Sequence, residues 1–381
     1  MPDSTNLRVK TITKTLSFSD EVELMRIVPP ALIERSNRFR FLAPFAGRSA
    51  VPPPLWLMRQ AGRYLPEYWD VRAKAGGFFD LCYTPELATE VTLQPIRRYG
   101  FDAAILFSDI LVVPDALGQR VEFFEGEGPR LAPIRTAAEV VLLDPRRTEA
   151  KFSRVFEAVD RVRGSLPKST ALIGFCGAPW TVATYMVAGQ ATPDQADARL
   201  WAYRDPDGFG RLIELLTAVS IEYLKGQIAA GADAVQIFDS WAGGLPDTEF
   251  HRWVVLPTRR IVRELKVSFS HVPVIGFPRG AGVNTTQYAS TTGVDAIACD
   301  TGLSLEFMTK VLARDGLVLQ GNLDPLLLVV GGRELENRVR QILTVMAGIP
   351  FIFNLGHGIA PQTPPAHVAR LVELVHGLGG P

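Results

Sequence analysis

The sequence has little cysteine, no excess of charge of either sign and no long apolar run. Its three cysteines, Cys82, Cys176 and Cys299, are too few and too odd in number for a disulfide framework, and this usage fits a reducing compartment. Forty basic and forty acidic residues cancel to a formal net charge of +0, which excludes a basic surface spread over the whole protein for nucleic acid. No run of 18 apolar residues exists, so we expect no membrane-spanning helix.

The sequence also lacks the residue spacings that bind metals or nucleotides. Its five histidines form no H-x-x-x-H or H-E-x-x-H pair, and its cysteines form no C-x-x-C pair. No G-x-G-x-x-G pattern and no Walker A pattern is present. These absences argue against a metal site and against a nucleotide-binding doubly wound sheet.

What remains is an ordinary globular composition. Hydrophobic residues make up 47% and charged residues 21% of 381 positions, which is enough for a large core. The first 20 residues lack the apolar stretch of a secretory signal, so we predict a disordered N-terminal extension over residues 1–30 and one domain over residues 31–381. Within that domain, residues 119–148 are interpreted as an inserted hairpin and loop.

Eight short runs are nearly continuous in apolar character, which is typical of strands buried on both faces. They are Leu55–Arg59, Ala103–Ser108, Ala171–Cys176, Ala234–Ser240, Val272–Pro278, Ala296–Asp300, Leu317–Asn322 and Phe351–Gly356. Amphipathic helical stretches lie between them, and such alternation indicates a parallel sheet with crossover connections. The eight units predict an α/β fold, a single-domain (β/α)8 TIM barrel.

A short internal repeat supports one repeating architecture. The pattern Gly-x-Asp-Ala occurs at residues 100–103, 231–234 and 293–296, and each copy leads directly into a predicted strand. Glycine suits the position after a helix where φ is positive, and aspartate favours the turn that follows. We therefore expect the three copies to form the same helix-to-strand corner.

The polar residues that follow the predicted strands point to an anionic substrate. In such barrels the chemistry lies at the carboxyl ends of the strands. These ends are rich in arginine and hydroxyl groups, and arginine forks suit carboxylate or phosphate groups. No lysine lies at a strand end, which argues against a Schiff base. Asp109 and Asp239 could be read as a glycosidase acid pair, but nothing else supports that reading.

Several long motifs resemble the uroporphyrinogen decarboxylase family. LWLMRQAGRYLPEY at residues 55–68 and GFCGAPWTVATYM at residues 174–186 are similar to the two signatures of that family. FSDIL, QIFDSWAG, QGNLDP and FNLGHGI match further family blocks in the expected order. The resemblance covers roughly residues 35–375.

The resemblance implies a cytoplasmic homodimer of single-domain barrels without a cofactor or metal. Such enzymes are carboxy-lyases that remove the four acetate carboxyl groups of uroporphyrinogen III as CO₂, giving coproporphyrinogen III for haem and chlorophyll. No nucleic acid or membrane partner is implied. The residues carried over for substrate binding are Arg59, Arg63, Arg72, Asp109, Tyr185, Ser240 and His357. Of these, Asp109, Arg59 and Tyr185 are the expected catalytic residues.

Other roles remain open for single residues, and other functions remain open for the protein. Asp109 could cap a helix, Tyr185 could be a core aromatic, and Asp239 could orient its neighbours. The proton donor of the reaction stays open among an arginine, a bound water and Asp109. Zinc-dependent methyltransferases share this barrel, but the His-x-Cys that holds their metal is absent here. A tetrapyrrole-binding protein without catalysis is the second alternative.

Overall fold

The computed structural model describes residues 29, 31–32, 34–35, 39–124, 128–313 and 317–377. Nearly all of the predicted N-terminal extension, residues 1–30, lies outside the described residues, so the domain boundary at residue 31 stays a prediction. Within the described part of the chain, no helix is both long and apolar enough to cross a membrane.

Seven parallel strands form one curled sheet in the order β1-β4-β5-β6-β7-β8-β9. The strands are β1 (Ala103–Ile105), β2 (Val121–Phe124), β3 (Gly128–Leu131), β4 (Ala171–Gly177), β5 (Ala234–Asp239), β6 (Val274–Pro278), β7 (Ala296–Ala298), β8 (Val318–Leu323) and β9 (Phe351–Leu355). All strands of this sheet lie within the predicted runs, except that β4 and β8 each extend one residue further, and the predicted (β/α)8 architecture is confirmed.

The eighth position of the barrel is occupied by the segment that begins at Leu55, but it is shorter than the predicted strand. Leu55 forms a parallel bridge with Phe353 of β9, and its carbonyl accepts the N–H of Asp102 at 3.0 Å on the other side. Beyond Leu55, side-chain oxygens accept the backbone N–H groups of the segment. The N–H of Leu57 donates to Gln60, and that of Met58 donates to Asn354. Side-chain amides therefore replace the strand ladder while the segment still closes the barrel.

Helices alternate with these strands and cover the outside of the barrel. From Pro66 onward the α-helices are α1 (Pro66–Arg72), α2 (Phe78–Tyr83), α3 (Pro85–Tyr99), α4 (Val112–Ala116), α5 (Ala137–Val140), α6 (Thr148–Ser165), α7 (Pro179–Ala188), α8 (Ala196–Arg204), α9 (Pro206–Ala229), α10 (Asp247–Phe250), α11 (Leu256–Ser268), α12 (Thr285–Thr291), α13 (Leu305–Phe307), α14 (Pro325–Val330), α15 (Gly332–Val345) and α16 (Pro365–Gly377). Single π-helical turns, His251–Val255 and Met308–Leu312, continue α10 and α13.

The predicted insertion is a hairpin, as expected. β2 and β3 pair antiparallel with Val121 opposite Leu131, and the residues at the tip, 125–127, lie outside the described part. The rings of Phe123 and Phe78 lie 4.6 Å apart, and Phe78 contacts Phe107 in the loop after β1 at 6.0 Å. This aromatic packing attaches the hairpin to the loop that carries Asp109.

The repeated Gly-x-Asp-Ala corners share one hydrogen-bond pattern at the amino-terminal end of the barrel. Each aspartate donates its N–H to the carbonyl of a residue at or next to the start of the preceding strand segment and accepts that residue's N–H with a side-chain oxygen. The pairs are Asp102 with Leu55, Asp233 with Leu172 and Asp295 with Val274, with side-chain bonds of 2.7–2.8 Å. The preceding glycines all have positive φ, as predicted. The repeat therefore fixes the spacing of neighbouring strands.

Side chains of the described residues fill the interior of the barrel. Alanines begin four strands, namely Ala103, Ala171, Ala234 and Ala296, and aromatic and branched residues lie above them. Phe41, Leu42 and Phe45 pack against the same interior cluster. Because this interior is filled, we look for the substrate site among the loops at the carboxyl ends of the strands, where such barrels carry their chemistry.

Candidate active site

The loops at the carboxyl ends bring five of the polar side chains into one electrostatic cluster. Arg59 lies at the end of the first segment, and Asp109 lies in the loop after β1. Arg279 follows β6, His357 follows β9, and Tyr185 lies on α7. The charge of Arg59 influences the pKa values of Asp109, Tyr185 and His357. These groups come from separate βα units, as expected for a barrel active site.

Arg59 reaches this cluster through an unusual backbone conformation. Its φ is +59°, in the left-handed region that costs a residue with a side chain about 1–2 kcal/mol. Its stem lies against Gly358, where an added Cβ would be 2.3 Å from Cδ and 2.6 Å from Cγ of Arg59. Burial by the cleft, together with Arg63 and Arg279, lowers the pKa of Arg59, and Asp109 and Tyr185 oppose that shift. A left-handed residue at such a position is typical of a functional site.

Asp109 has one oxygen engaged and one available. Its Oδ1 accepts the N–H of Leu111 at 2.8 Å, and its carbonyl accepts the N–H of Val112 at 3.3 Å. Asp109 thus closes the turn before α4, so the alternative that it caps a helix describes one of its two oxygens. Within the described residues its Oδ2 has no hydrogen-bond partner. Burial raises the pKa of Asp109 to about 6, against the effects of the Leu111 N–H and the Arg59 charge.

Tyr185 is held by the aromatic residues that follow β5. Its ring lies 6.3 Å from that of Trp241, and its hydroxyl is part of the Arg59 and Asp109 cluster. Burial raises the pKa of Tyr185, the Trp241 side chain opposes this effect, and Asp109 adds to it. Tyr185 is therefore a half-buried, protonated hydroxyl that faces the charged groups rather than a purely apolar core residue.

His357 and Ser240 follow two strands, β9 and β5, that are separated by three others around the rim, and Arg279 lies near both residues. The imidazole of His357 lies 6.3 Å from the ring of Phe277, and burial followed by Arg59 and Arg279 lowers its pKa to about 4. His357 is therefore uncharged at neutral pH. The carbonyl of Ser240 accepts a hydrogen bond from Nη1 of Arg279 at 3.4 Å.

Arg63 and Arg72 lie on the side of the cleft formed by α1. The carbonyl of Arg63 accepts the indole N–H of Trp69 at 3.0 Å, and the guanidinium of Arg72 donates to the carbonyl of Ala75 at 3.4 Å. Burial raises the pKa of Tyr68, and the charges of Arg72 and Arg63 oppose that shift, so both arginines lie near this phenol. No carboxylate of the described residues lies within salt-bridge distance of either arginine.

Arg279 belongs to this cluster although it is absent from the predicted set. Its charge lowers the pKa values of both Arg59 and His357. Inward and outward residues alternate along β6, with Ile275 and Phe277 inside the barrel, so the next inward position is Arg279. That alternation is the signal in the sequence that could have identified it.

The same alternation removes Asp239 from the cleft. Phe238 packs with the interior of the barrel, and Asp239, the next residue of β5, is fully buried on the outer face. The glycosidase reading, in which Asp109 and Asp239 oppose each other across a substrate, is therefore wrong. The alternative that Asp239 orients its neighbours agrees with the hydrogen bond that Thr181 donates to it.

The loops of successive units are tied to one another around the rim. The N–H of Arg279 donates to the carbonyl of Asp239, and the side chain of Asp300 accepts the N–H of Gly280 at 2.6 Å. On the far side, the N–H of Ile359 donates to the carbonyl of Met58 at 2.9 Å. The site is consequently built on mutually braced loops rather than on independent ones.

Comparison with known proteins decides the family. A sequence profile described as uroporphyrinogen decarboxylase (URO-D) matches residues 36–378. The chain is 55% identical over 335 residues to the uroporphyrinogen decarboxylase of Rhodospirillum rubrum, covering 88% of this chain and 96% of that protein. It is also 55% identical over 344 residues to the one from Sinorhizobium fredii, covering 90% and 99%. The chain belongs to the uroporphyrinogen decarboxylase family.

The barrel of this uroporphyrinogen decarboxylase family member also resembles solved structures of other proteins. A methyltransferase from Methanosarcina mazei superposes with a TM-score of 0.74 at 20% sequence identity, covering 89% of this chain and 98% of that one. At this identity the likeness shows the fold alone.

Chelators should leave the activity of this uroporphyrinogen decarboxylase family member unchanged, because no H-x-x-x-H, H-E-x-x-H or C-x-x-C spacing is present. Among the described residues, no three His, Cys, Asp or Glu side chains converge in a way that could hold a metal ion. The measurement is turnover before and after dialysis against a chelator, with zinc added back to one portion. Activity that is lost on chelation and restored by zinc would favour the methyltransferase-like alternative.

Proposed function

We propose that this chain is a carboxy-lyase that removes the four acetate carboxyl groups of uroporphyrinogen III as CO₂ and yields coproporphyrinogen III, in haem and chlorophyll biosynthesis. The observation that carries this proposal is a cleft that holds four arginines without a salt bridge among the described residues, together with the half-buried carboxylate of Asp109. The arginines are Arg59, Arg63, Arg72 and Arg279. Such a cleft suits a ligand with carboxylates at its edge and N–H donors at its centre.

Substrate binding is divided between the rim and the centre of the cleft. Arg63 and Arg72 bind peripheral carboxylates, and Arg59 binds one nearer the centre. His357 follows β9, which lies beside the first segment, and Ser240 follows β5 across the barrel, so a neutral imidazole and a hydroxyl donate further hydrogen bonds from two sides of the cleft. Because the protein has no net charge overall, these cations concentrate the attraction for the polyanion at the site.

Asp109 stabilises the charge that develops in the reaction. An acetate on a pyrrole loses CO₂ only when the ring accepts its electrons, and protonation of the pyrrole α-carbon makes the ring cationic for that purpose. The free oxygen of Asp109 accepts pyrrole N–H bonds, and its negative charge stabilises the cation. The charge of Arg59 lowers the pKa of Asp109 and so helps to keep this carboxylate ionised despite its burial.

Tyr185 completes the centre as a neutral hydrogen-bonding group. Its phenol stays protonated because burial raises its pKa, and it lies close to both Arg59 and Asp109. It can donate to a substrate carboxylate without adding charge beside the developing cation. We further propose a homodimer in the cytoplasm, on the strength of the family resemblance and the three free, buried cysteines.

Anaerobic incubation with uroporphyrinogen III tests the proposed reaction. The products are oxidised to porphyrins and separated by the number of their carboxyl groups. The expected result is a series of species with decreasing carboxyl number that ends at coproporphyrin. Substrate that is bound but returned unchanged would instead favour the non-catalytic tetrapyrrole-binding alternative. Size-exclusion chromatography with light scattering tests the homodimer.

Substrate affinity should depend strongly on salt. Several guanidinium groups face an octacarboxylate, and part of the attraction between exposed charges is screened above roughly 0.1 M salt. The Michaelis constant should therefore rise several-fold between low and high ionic strength while kcat changes less. The check is steady-state kinetics at a series of sodium chloride concentrations. Equal Michaelis constants at both extremes would contradict the arginine-lined cleft.

Activity should fall in acid with a midpoint set by Asp109. The ionised form of Asp109 is the active one, and burial raises its pKa to about 6, so protonation removes the active form as the pH drops through that value. His357, with a pKa of about 4, stays neutral over this range and does not contribute. The measurement is kcat/KM against pH for the wild type and Asp109→Asn. The acid limb should be present in the wild type and absent in the variant.

A further inference from the structure

A junction of hydrogen bonds lies directly behind the proposed site, where α7 meets the end of β5. The hydroxyl of Thr181 donates to Oδ1 of Asp239 and accepts the backbone N–H of Trp241 at 3.1 Å. The indole N–H of Trp180 donates to the carbonyl of Trp241 at 2.8 Å. Both peptide groups of Trp241 are therefore held by side chains of α7. We call these contacts the Thr181 junction.

The polarity of the junction is set by Asp239. Thr181 has a single hydroxyl proton, which it donates to Asp239, and this leaves the lone pairs of Thr181 for the Trp241 N–H. Asp239 is fully buried, and within the described residues its Oδ2 has no hydrogen-bond partner. An acceptor kept at a buried position despite an unpaired oxygen is costly for stability, which points to a role other than stability.

The junction joins two groups that the proposed function places on the substrate. Thr181 and Tyr185 are one helical turn apart on the same face of α7, and the ring of Tyr185 rests against Trp241. Ser240 lies between Asp239 and Trp241, so both residues that flank it are fixed by Thr181. The hydroxyl of Thr181 therefore links the position of Tyr185 to that of Ser240.

We propose that Thr181 and Asp239 are positioning residues of the decarboxylation: without touching the substrate, they fix Trp241 and thereby place Tyr185 and Ser240. This inference rests on the proposed function. Since a misplacement of about 1 Å can cost on the order of 100-fold in rate, Thr181→Val should lower kcat by roughly 10- to 100-fold. Thr181→Ser keeps the hydroxyl and should retain kcat within about three-fold, and it is the matched control.

Two double-mutant comparisons separate positioning from a general loss of structure. Asp239→Leu should lower kcat as much as Thr181→Val, and the two changes together should cost no more than either one. In a Tyr185→Phe background, Thr181→Val should lower kcat by a clearly smaller factor than in the wild type, because one of the two groups that it positions, the Tyr185 hydroxyl, is already missing. Equal losses in both backgrounds, or a Thr181→Ser variant as slow as Thr181→Val, would overturn the proposal.

A measurement without substrate tests the Thr181 junction independently of the proposed reaction. The chain has six tryptophans, so 5-fluorotryptophan labelling gives a small fluorine NMR spectrum in which Trp241→Phe assigns one signal. Thr181→Val should shift or broaden the Trp241 signal, and Thr181→Ser should leave it in place. If the Trp241 signal does not respond to Thr181→Val, the junction does not position this loop, whatever the enzyme does with uroporphyrinogen. A wild type that fails to decarboxylate would instead contradict the proposed function alone.

Discussion

Asp109→Asn should lower the turnover number by on the order of 100-fold or more while the protein folds normally and still binds coproporphyrinogen. The amide offers one acceptor oxygen in place of two, and the Leu111 N–H already occupies one position. The lost negative charge matters more once the pyrrole ring is cationic than in the ground state, so kcat falls more than affinity. Steady-state kinetics together with binding of the product measure both quantities.

The same substitution should raise the thermal stability of the protein above neutral pH. Burial raises the pKa of Asp109 to about 6 from an unfolded value of about 3.9, so the folded state favours the proton. That contribution to stability is fully present below about pH 3.9 and is lost as the pH rises through about 6. Melting curves at pH 8 and pH 5 should show Asp109→Asn gaining on the wild type at the higher pH. Asp109→Glu, which keeps the charge, should be partly active and should gain nothing.

If Asp109→Asn turned over at a near-normal rate, Asp109 would be reduced to its turn-closing hydrogen bond with Leu111. Asp239 could not replace it as the group that stabilises the cation, because the side chain of Asp239 is fully buried on the outer side of β5. The search would then move to the hydroxyl of Tyr185.

Gly358→Ala should reduce kcat/KM by roughly 10- to 100-fold without removing any polar group from the site. An added Cβ would lie 2.3 Å from Cδ and 3.0 Å from Nε of Arg59, so the arginine side chain must move. Its displacement weakens binding of a substrate carboxylate and also removes charge from beside Asp109. The pH at which activity falls in acid should therefore shift upward in this variant, because Arg59 lowers the pKa of Asp109.

Gly164→Ala is the matched control for Gly358→Ala. Gly164 lies in α6, where an added Cβ would meet nothing within 4 Å, so kinetics should be unchanged and the helix slightly stabilised. If Gly358→Ala kept wild-type kinetics, the side chain of Arg59 would not need the position observed here. If the variant lost its cooperative melting transition, Arg59→Gln would carry the test of the arginine instead.

The apolar runs predicted the strands of the barrel because strands buried on both faces carry their own signal. The first segment is shorter than the predicted strand because the side chains of Gln60 and Asn354 accept its backbone N–H groups in place of a neighbouring strand. A hydropathy pattern contains no information about such side-chain hydrogen bonds. The left-handed backbone of Arg59 had no local signal either, since arginine has no preference for positive φ.

For the candidate site, the position of each residue along the strand mattered as much as its chemical type. Arg279 and Asp239 both lie at strand ends, but the two-residue period points Arg279 into the barrel and Asp239 away from it. Counting that period in the sequence would have distinguished them. The pKa of about 6 at Asp109 could not be foreseen, because it results from burial by loops that come from distant parts of the chain.

The closure of the barrel has a consequence for co-translational folding. Met58 and Asn354 are 296 residues apart, and Gly358 lies against the stem of Arg59. The segment that carries Arg59 therefore cannot complete its contacts until nearly the whole chain has left the exit tunnel. Contacts of such long separation form slowly and leave intermediates exposed. A nascent chain stalled before residue 351 should hold most of its helices and strands and yet have no place to seat Arg59.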